Sequence, residues 1–226
     1  MRRKHNCLIL VLGVVGFLLL LLIYEQINSM SYYEFDWLRN INYLHLFVRP
    51  KETTAVIVPK NYTSSLSRQF IACFVLSRPG NHLARNAIRE TWGKRIRPLF
   101  VIAQRYDESL IPVLHEAELF DDIIVEDFVD RYENLTIKTA FALKHFVQHF
   151  PSTKYFLKID DDVFINADNL YKLIKEAPSN SLIGKVNTHS IPYRNKKDRW
   201  YVPEFLFGDE MFPDYLEGPG YLIPGK

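Results

Sequence analysis

Three consecutive aspartates, Asp160, Asp161 and Asp162, follow an apolar run from Tyr155 to Ile159. Such a run predicts a buried strand. Side chains on an extended segment alternate between faces, so Asp160 and Asp162 are expected to point one way and Asp161 the other. Two carboxylates together at the C-terminal end of a strand make a hard-oxygen site for a divalent cation. That end of an open α/β sheet is also where ligands bind. A cation held there can bridge a diphosphate and stabilise its departure. The plainer reading, a solvated acidic turn, fits less well with the strand before it and with apolar Val163-Phe164-Ile165 after it.

Two further stretches carry residues suited to a nucleotide. Arg85 to Gly93 reads RNAIRETWG. Arg85 and Arg89 are one turn apart and share a helix face, and the planar guanidinium bonds phosphate bidentately. A surface pair bridged to Glu90 or other acids satisfies the same spacing. Asp127 to Thr139 reads DFVDRYENLTIKT. Asp127 is expected just past a strand, where a carboxylate can reach a ribose or base, and Lys138 one turn into the next helix. Taken singly, these residues read more simply as helix capping by Asn134 and a surface lysine.

The elements that must position these groups alternate. Phe70 to Leu76 is a continuous apolar run, the mark of a strand buried on both faces, broken by Ser77-Arg78-Pro79-Gly80-Asn81. His82 to Trp92 reads as a helix stopped by Gly93, Leu99 to Ala103 as a strand, and Ser109 to Leu119 as a helix with Pro112 in its first turn. A short strand at Ile123 to Val125 precedes a helix from Leu135 to Phe150, with Ala140, Leu143, Val147 and Phe150 on its apolar face. The strand to the aspartates and a helix from Ala167 to Lys175 follow. Leu182 to Val186 is a candidate strand, Arg194 to Arg199 a basic loop, and Phe212 to Gly220 (FPDYLEGPG) a cluster of turn residues. Gly218 and Gly220 there permit positive φ or a close backbone approach. This order predicts an α/β fold, a mostly parallel sheet with helices on both faces.

The N-terminus carries a different signal. Basic Met1 to His5 precedes an apolar run from Cys7 to Tyr24, long enough to span a bilayer. The charge asymmetry predicts a signal anchor with its short tail in the cytoplasm, and Glu25-Gln26-Ile27-Asn28 is a poor cleavage site. Residues 1–6 are therefore read as a tail, 7–24 as the anchor, 25–67 as a stem and 68–226 as one domain of about 160 residues, enough for a core. Asn61-Tyr62-Thr63 and Asn134-Leu135-Thr136 match the N-glycosylation sequon. A net charge of +2 argues against a nucleic-acid binder. Two cysteines, Cys7 and Cys73, form neither a disulfide framework nor a zinc cluster.

Taken together, RNAIRETWG, EDFVDRYENLTIKT, KYFLKIDDDVFIN and FPDYLEGPGYLI, in this order and spacing, resemble the β-1,3-galactosyltransferase and β-1,3-N-acetylglucosaminyltransferase family (glycosyltransferase family 31) of Golgi enzymes. The resemblance runs from about Phe70 to Pro224. It implies a GT-A type fold, a Rossmann-like sheet behind a single-pass type II Golgi membrane anchor. It implies UDP-galactose or UDP-N-acetylglucosamine as donor, a protein or lipid glycan as acceptor, and inverting transfer in β-1,3 linkage. Mn²⁺ would be held by Asp160 and Asp162. Arg85, Arg89, Asp127, Lys138, Asp160 and Asp161 would lie at the nucleotide sugar.

Members of that family continue past the last motif into a region that supplies the base and often a His ligand, so a truncated C-terminus and weak or absent turnover are expected here. Leu216 also stands where the family often has Cys. The alternative is a non-catalytic, membrane-anchored nucleotide-sugar-binding relative or fragment. A phosphatase of the haloacid-dehalogenase type, suggested by Asp160-x-Asp162-Val163, needs a longer downstream region than the sequence has.

Overall fold

The apolar run IACFVL forms β2, Ile71–Leu76, with all six side chains buried, as expected of a strand covered on both faces. A computed structural model of the chain describes residues 48–60, 70–105, 107–178, 180–198 and 200–225. Seven strands form one sheet in the order β1-β4-β3-β2-β5-β7-β6. They are β1 (Ala55–Ile57), β2, β3 (Leu99–Gln104), β4 (Ile123–Val129), β5 (Tyr155–Asp160), β6 (Ile183–Asn187) and β7 (Tyr215–Pro224). Strands β2 to β5 are mutually parallel, whereas β1 on one edge and β7 beside β5 run antiparallel to them, and β6, antiparallel to β7, runs in their direction.

Among the described residues the helices of the sheet domain are α1 (His82–Glu90), α2 (Gly93–Ile96), α3 (Ile111–Phe120), α4 (Leu135–His149) and α5 (Ala167–Glu176), with a 3₁₀ turn at Tyr132–Asn134. One face of the sheet packs Val75, Phe100 and Ile159 against Ile88, Trp92, Val113 and Ile174 from α1, α3, α5 and the turn after α1. The other packs Phe74, Val101 and Phe156 against Ala142, Phe146 and Phe150 of α4 and its C-terminal cap. Phe74 lies 5.3 Å from Phe156 and 5.7 Å from Phe150 between ring centroids, an aromatic layer that fixes α4 on its strands.

The parallel strands β4-β3-β2-β5 step outward twice and then cross back, because β5 lies on the far side of β2. That reversal is a topological switch point, and it falls between the C-terminal ends of β2 and β5. Leu76 and Asp160 are register partners there, so Ser77 and Asp161 leave the sheet side by side.

Several elements differ from expectation. Gly93 does not stop a helix; it opens α2, and a Cβ there would lie 2.5 Å from the Ile88 carbonyl oxygen, so the glycine permits tight packing of α2 on α1. Strand β4 runs four residues beyond Val125 because Glu126, in mid-strand, is buried against His145 at 2.5 Å. The buried face of α4 holds Ile137, Lys138, Phe141, Ala142, Lys144, His145 and Phe146, while Val147 is 70% exposed. Lys138, Lys144 and His145 are buried in polar contacts, so this face differs from the one that hydrophobic periodicity predicts.

The FPDYLEGPG stretch is not a turn: Tyr215–Pro224 is a strand between β5 and β6. No glycine has positive φ among the described residues. The β6–β7 register slips between Gly184 and Val186, and this bulge opposite Glu217 to Gly220 accommodates Pro219.

Part of the expected stem belongs to the sheet. β1 pairs with β4, and the Lys144 ammonium donates to Val48 O at 3.0 Å and Thr54 Oγ1 at 2.7 Å. The expected anchor, residues 7–24, and Asn61 lie outside the described residues. Among the described residues no helix is long and apolar enough to cross a membrane.

Candidate active site at the sheet switch point

Ser77, the first polar residue after β2, is the hub. Its N–H donates to Val101 O at 3.0 Å, and its carbonyl accepts from Lys138 Nζ at 2.5 Å. Its Oγ accepts from Arg85 Nη1 at 3.0 Å and donates to Asp161 Oδ2 at 2.6 Å. Asn81 Nδ2 donates to the same Asp161 oxygen at 2.8 Å. One serine thus ties β3, α1, α4 and the aspartate turn together where the chain crosses back.

Asp160 leans the other way. Its Oδ1 accepts from Lys158 Nζ at 2.5 Å, and the same ammonium donates to Gly218 O of β7 at 2.6 Å. Burial raises the Asp160 carboxyl above the usual carboxylate range; Lys158 opposes this, and the charges of Asp162 and Asp161 add to it. Asp162 is exposed and makes no hydrogen bond or ion pair among the described residues. Three like charges in one short turn are relieved by a cation. Asp161 is held by Ser77 and Asn81 and Asp160 by Lys158, so Asp162 is the carboxylate of the three left without a partner among the described residues, and the oxygen chemistry of Asp160 and Asp162 is of the kind that would suit a hard divalent ion. Among the described residues no group of three or more His, Cys, Asp or Glu side chains is placed to hold a metal by itself.

The expected nucleotide contacts divide. Lys138 reaches the hub, buried between Ser77 O and Asp130 Oδ2 at 2.6 Å. Burial pushes its ammonium below the ordinary lysine range, and Asp130 pulls it back. Asp127 is an exposed residue within β4, which β3 and β2 separate from β5; it is Asp130 that the fold brings to the cluster.

Arg85 is fully buried, and all five of its N–H donors are spent on protein. Nε and Nη2 fork onto Glu116 at 2.8 and 2.5 Å, and the rest reach Ser77 Oγ, Arg78 O and Pro79 O. Arg89 forks onto Asp122 at 2.7 and 2.8 Å, bonds Glu116 at 2.7 Å and stacks on Phe120 at 4.0 Å. Both arginines, expected to face a diphosphate, instead lock α1 to α3, and Arg85 also holds the loop after β2. Asn134 makes no cap bond; its Nδ2 donates to Val129 O at 2.8 Å. Glu217 pairs with Lys185 at 2.8 Å.

Sequence reasoning missed Ser77, Asn81, Glu116, Asp130 and Lys158. Lys158 carried a signal: a lone lysine inside an apolar central strand must find an acidic partner or neutralise.

Glu116 sets a pH limit on this scaffold. Burial raises its carboxyl, but the hydrogen bonds and charges of Arg85 and Arg89 outweigh that and hold it below its ordinary value of 4.5. A depressed native pKa stabilises the fold above the unfolded-state value, and that contribution disappears as pH falls through the native value. Urea midpoints are expected to decline below about pH 4.5, and Glu116→Gln to flatten that decline while lowering the neutral-pH plateau.

Comparison with known proteins places this sequence among relatives. A family model described as galactosyltransferase matches residues 83–226. The chain is 37% identical over 151 residues to the beta-1,3-galactosyltransferase 1 of Homo sapiens, covering 62% of this chain and 46% of the relative. It is 31% identical over 168 residues to a lactosylceramide 1,3-N-acetyl-beta-D-glucosaminyltransferase of Xenopus tropicalis, covering 66% and 45%. It is 29% identical over 214 residues to a UDP-GalNAc:beta-1,3-N-acetylgalactosaminyltransferase 1 of Rattus norvegicus, covering 89% and 61%. The chain spans about half the length of the first two of these relatives.

Proposed function

We propose, from the fact that this chain belongs to the galactosyltransferase family, that it is a GT-A type glycosyltransferase domain binding a UDP-sugar at the switch point and moving its hexose, with inversion, to a glycan hydroxyl in β-1,3 linkage. The observation that carries this is the placement of Asp160 and Asp162 at the crossover of the parallel strands, inside the family-matched segment. The relatives' names include galactosyl-, N-acetylglucosaminyl- and N-acetylgalactosaminyltransferases. Galactose and N-acetylglucosamine are the donors favoured here.

In this reading Asp160 and Asp162 hold Mn²⁺ against the donor diphosphate. The ion, when bound, supplies positive charge to the departing UDP. The protein's part is to fix the two carboxylates: Lys158 pins Asp160 to β7, and the Ser77 hub fixes the turn from the β2 side. Lys138, paired with Asp130, holds the Ser77 carbonyl behind the turn. The anchor expected at residues 7–24 suits a single-pass Golgi membrane protein with its domain in the lumen.

The test is UDP release by the full chain with UDP-galactose, UDP-N-acetylglucosamine and UDP-N-acetylgalactosamine, each with and without Mn²⁺ and a β-galactoside acceptor. Mn²⁺-dependent release from galactose or N-acetylglucosamine donor is the expected result. Mn²⁺-dependent UDP binding without release would select the non-catalytic reading, and neither binding nor release would overturn both.

A further inference from the structure

The hydrogen bonds around Ser77 have a direction. Arg85 Nη1 can only donate, so it occupies a lone pair of Ser77 Oγ, and of the two acceptors within reach of the hydroxyl proton Asp161 Oδ2 at 2.6 Å is much nearer than Arg78 O at 3.5 Å. Arg85 itself cannot turn, because its other donors are held by Glu116 and two loop carbonyls. The Asn81 amide is oriented in the same way: its Oδ1 accepts from Arg78 Nε at 2.9 Å, so its Nδ2 faces Asp161. Asp161 Oδ2 therefore receives two aimed donors, from both residues that flank the loop after β2.

We propose that Ser77, with Asn81, positions Asp161 as the anchor of the carboxylate turn, so that Asp161 orients Asp160 and Asp162 for the cation without contacting it. This rests on the reading of Asp160 and Asp162 given above, and it reassigns Asp161, expected among the nucleotide contacts, to a positioning role. The register makes the anchor possible: Leu76 pairs with Asp160, so the residues that follow them meet across the seam between β2 and β5. An anchor needs an acceptor oxygen and not a charge. An asparagine at position 161 still offers one oxygen to both donors, whereas a metal ligand loses its anionic oxygen on the same change.

The experiment has two readouts on the full chain in mild detergent. The first is amide hydrogen exchange across residues 159–165 with no cation or nucleotide present. Ser77→Ala and Asp161→Ala are expected to speed exchange there about ten-fold, the loss of a charge-assisted bond, while Asp161→Asn and Asp162→Asn keep the parental rate. The second is Mn²⁺ titration in the presence of UDP, followed by electron paramagnetic resonance. Ser77→Ala is expected to weaken Mn²⁺ about ten-fold and Asp161→Asn by no more than about three-fold, whereas Asp162→Asn abolishes the bound signal.

Parental exchange in Ser77→Ala would overturn the anchor, and so would an Asp161→Asn loss as large as that of Asp162→Asn. If the exchange pattern holds but no variant, nor the parent, binds Mn²⁺, the anchor stands and the cation reading of Asp160 and Asp162 falls. If Mn²⁺ binds and exchange is indifferent to Ser77, the anchor falls and the cation reading stands.

Discussion

Replacing Arg85 with Met is expected to lower the unfolding free energy by about 3–5 kcal/mol, the usual cost of removing one partner from a buried ion pair. Methionine fills much of the space but donates nothing. Glu116, with side-chain exposure of only 11%, then keeps its charge with Arg89 alone, the Pro79 carbonyl loses the Arg85 donor, and the Arg78 carbonyl is left with the Asn81 N–H. Against a typical total of about 5–15 kcal/mol, such a loss brings the domain near its folding threshold. Urea unfolding measures it. Arg95→Met is the control, because Arg95 pairs with Asp168 on the surface, and its removal is expected to leave the midpoint in place. An Arg85→Met protein as stable as the parent would show that the five-bond clamp is not what holds the loop after β2.

Asp162→Ala is expected to act on chemistry and spare the fold. The side chain is exposed and unbonded among the described residues, so the unfolding free energy should move by less than about 0.5 kcal/mol. UDP release is expected to fall about 100-fold or more, the scale of several kcal/mol of lost charge stabilisation on the leaving group. The pair of results matters more than either alone. Lost turnover with an unchanged urea midpoint marks a residue that works on the substrate, whereas a loss of both would place Asp162 in the scaffold.

Apolar runs showed where the four central parallel strands lie, and β2 and β5 were readable nearly to the residue because they are buried on both faces. The carboxylate turn was readable for the same reason: acids directly after such a strand stand at the sheet's ligand edge. Buried charge was not readable. Glu126 hid the second half of β4, and Lys138 and His145 disguised the inner face of α4, since periodicity counts a paired charge as solvent-facing. Gly218, Pro219 and Gly220 read as a turn, yet they lie in a strand that a bulge lets pass.

Spacing on a helix correctly put Arg85 and Arg89 on one face, but it says nothing of what lies opposite. The partners Glu116 and Asp122 come from α3 and the residues that follow it, and only the fold brings them there. Ser77 was passed over because a serine after a strand is common. Its role comes from four elements converging on it, which no local pattern records.

The most direct measurement is calorimetric titration of UDP into the full chain, with Mn²⁺ and with EDTA, beside Asp162→Ala. The account predicts binding that requires Mn²⁺ and is lost in Asp162→Ala. Binding that is equally tight in EDTA, or unchanged in Asp162→Ala, would contradict the assignment of this carboxylate turn as a metal-assisted diphosphate site.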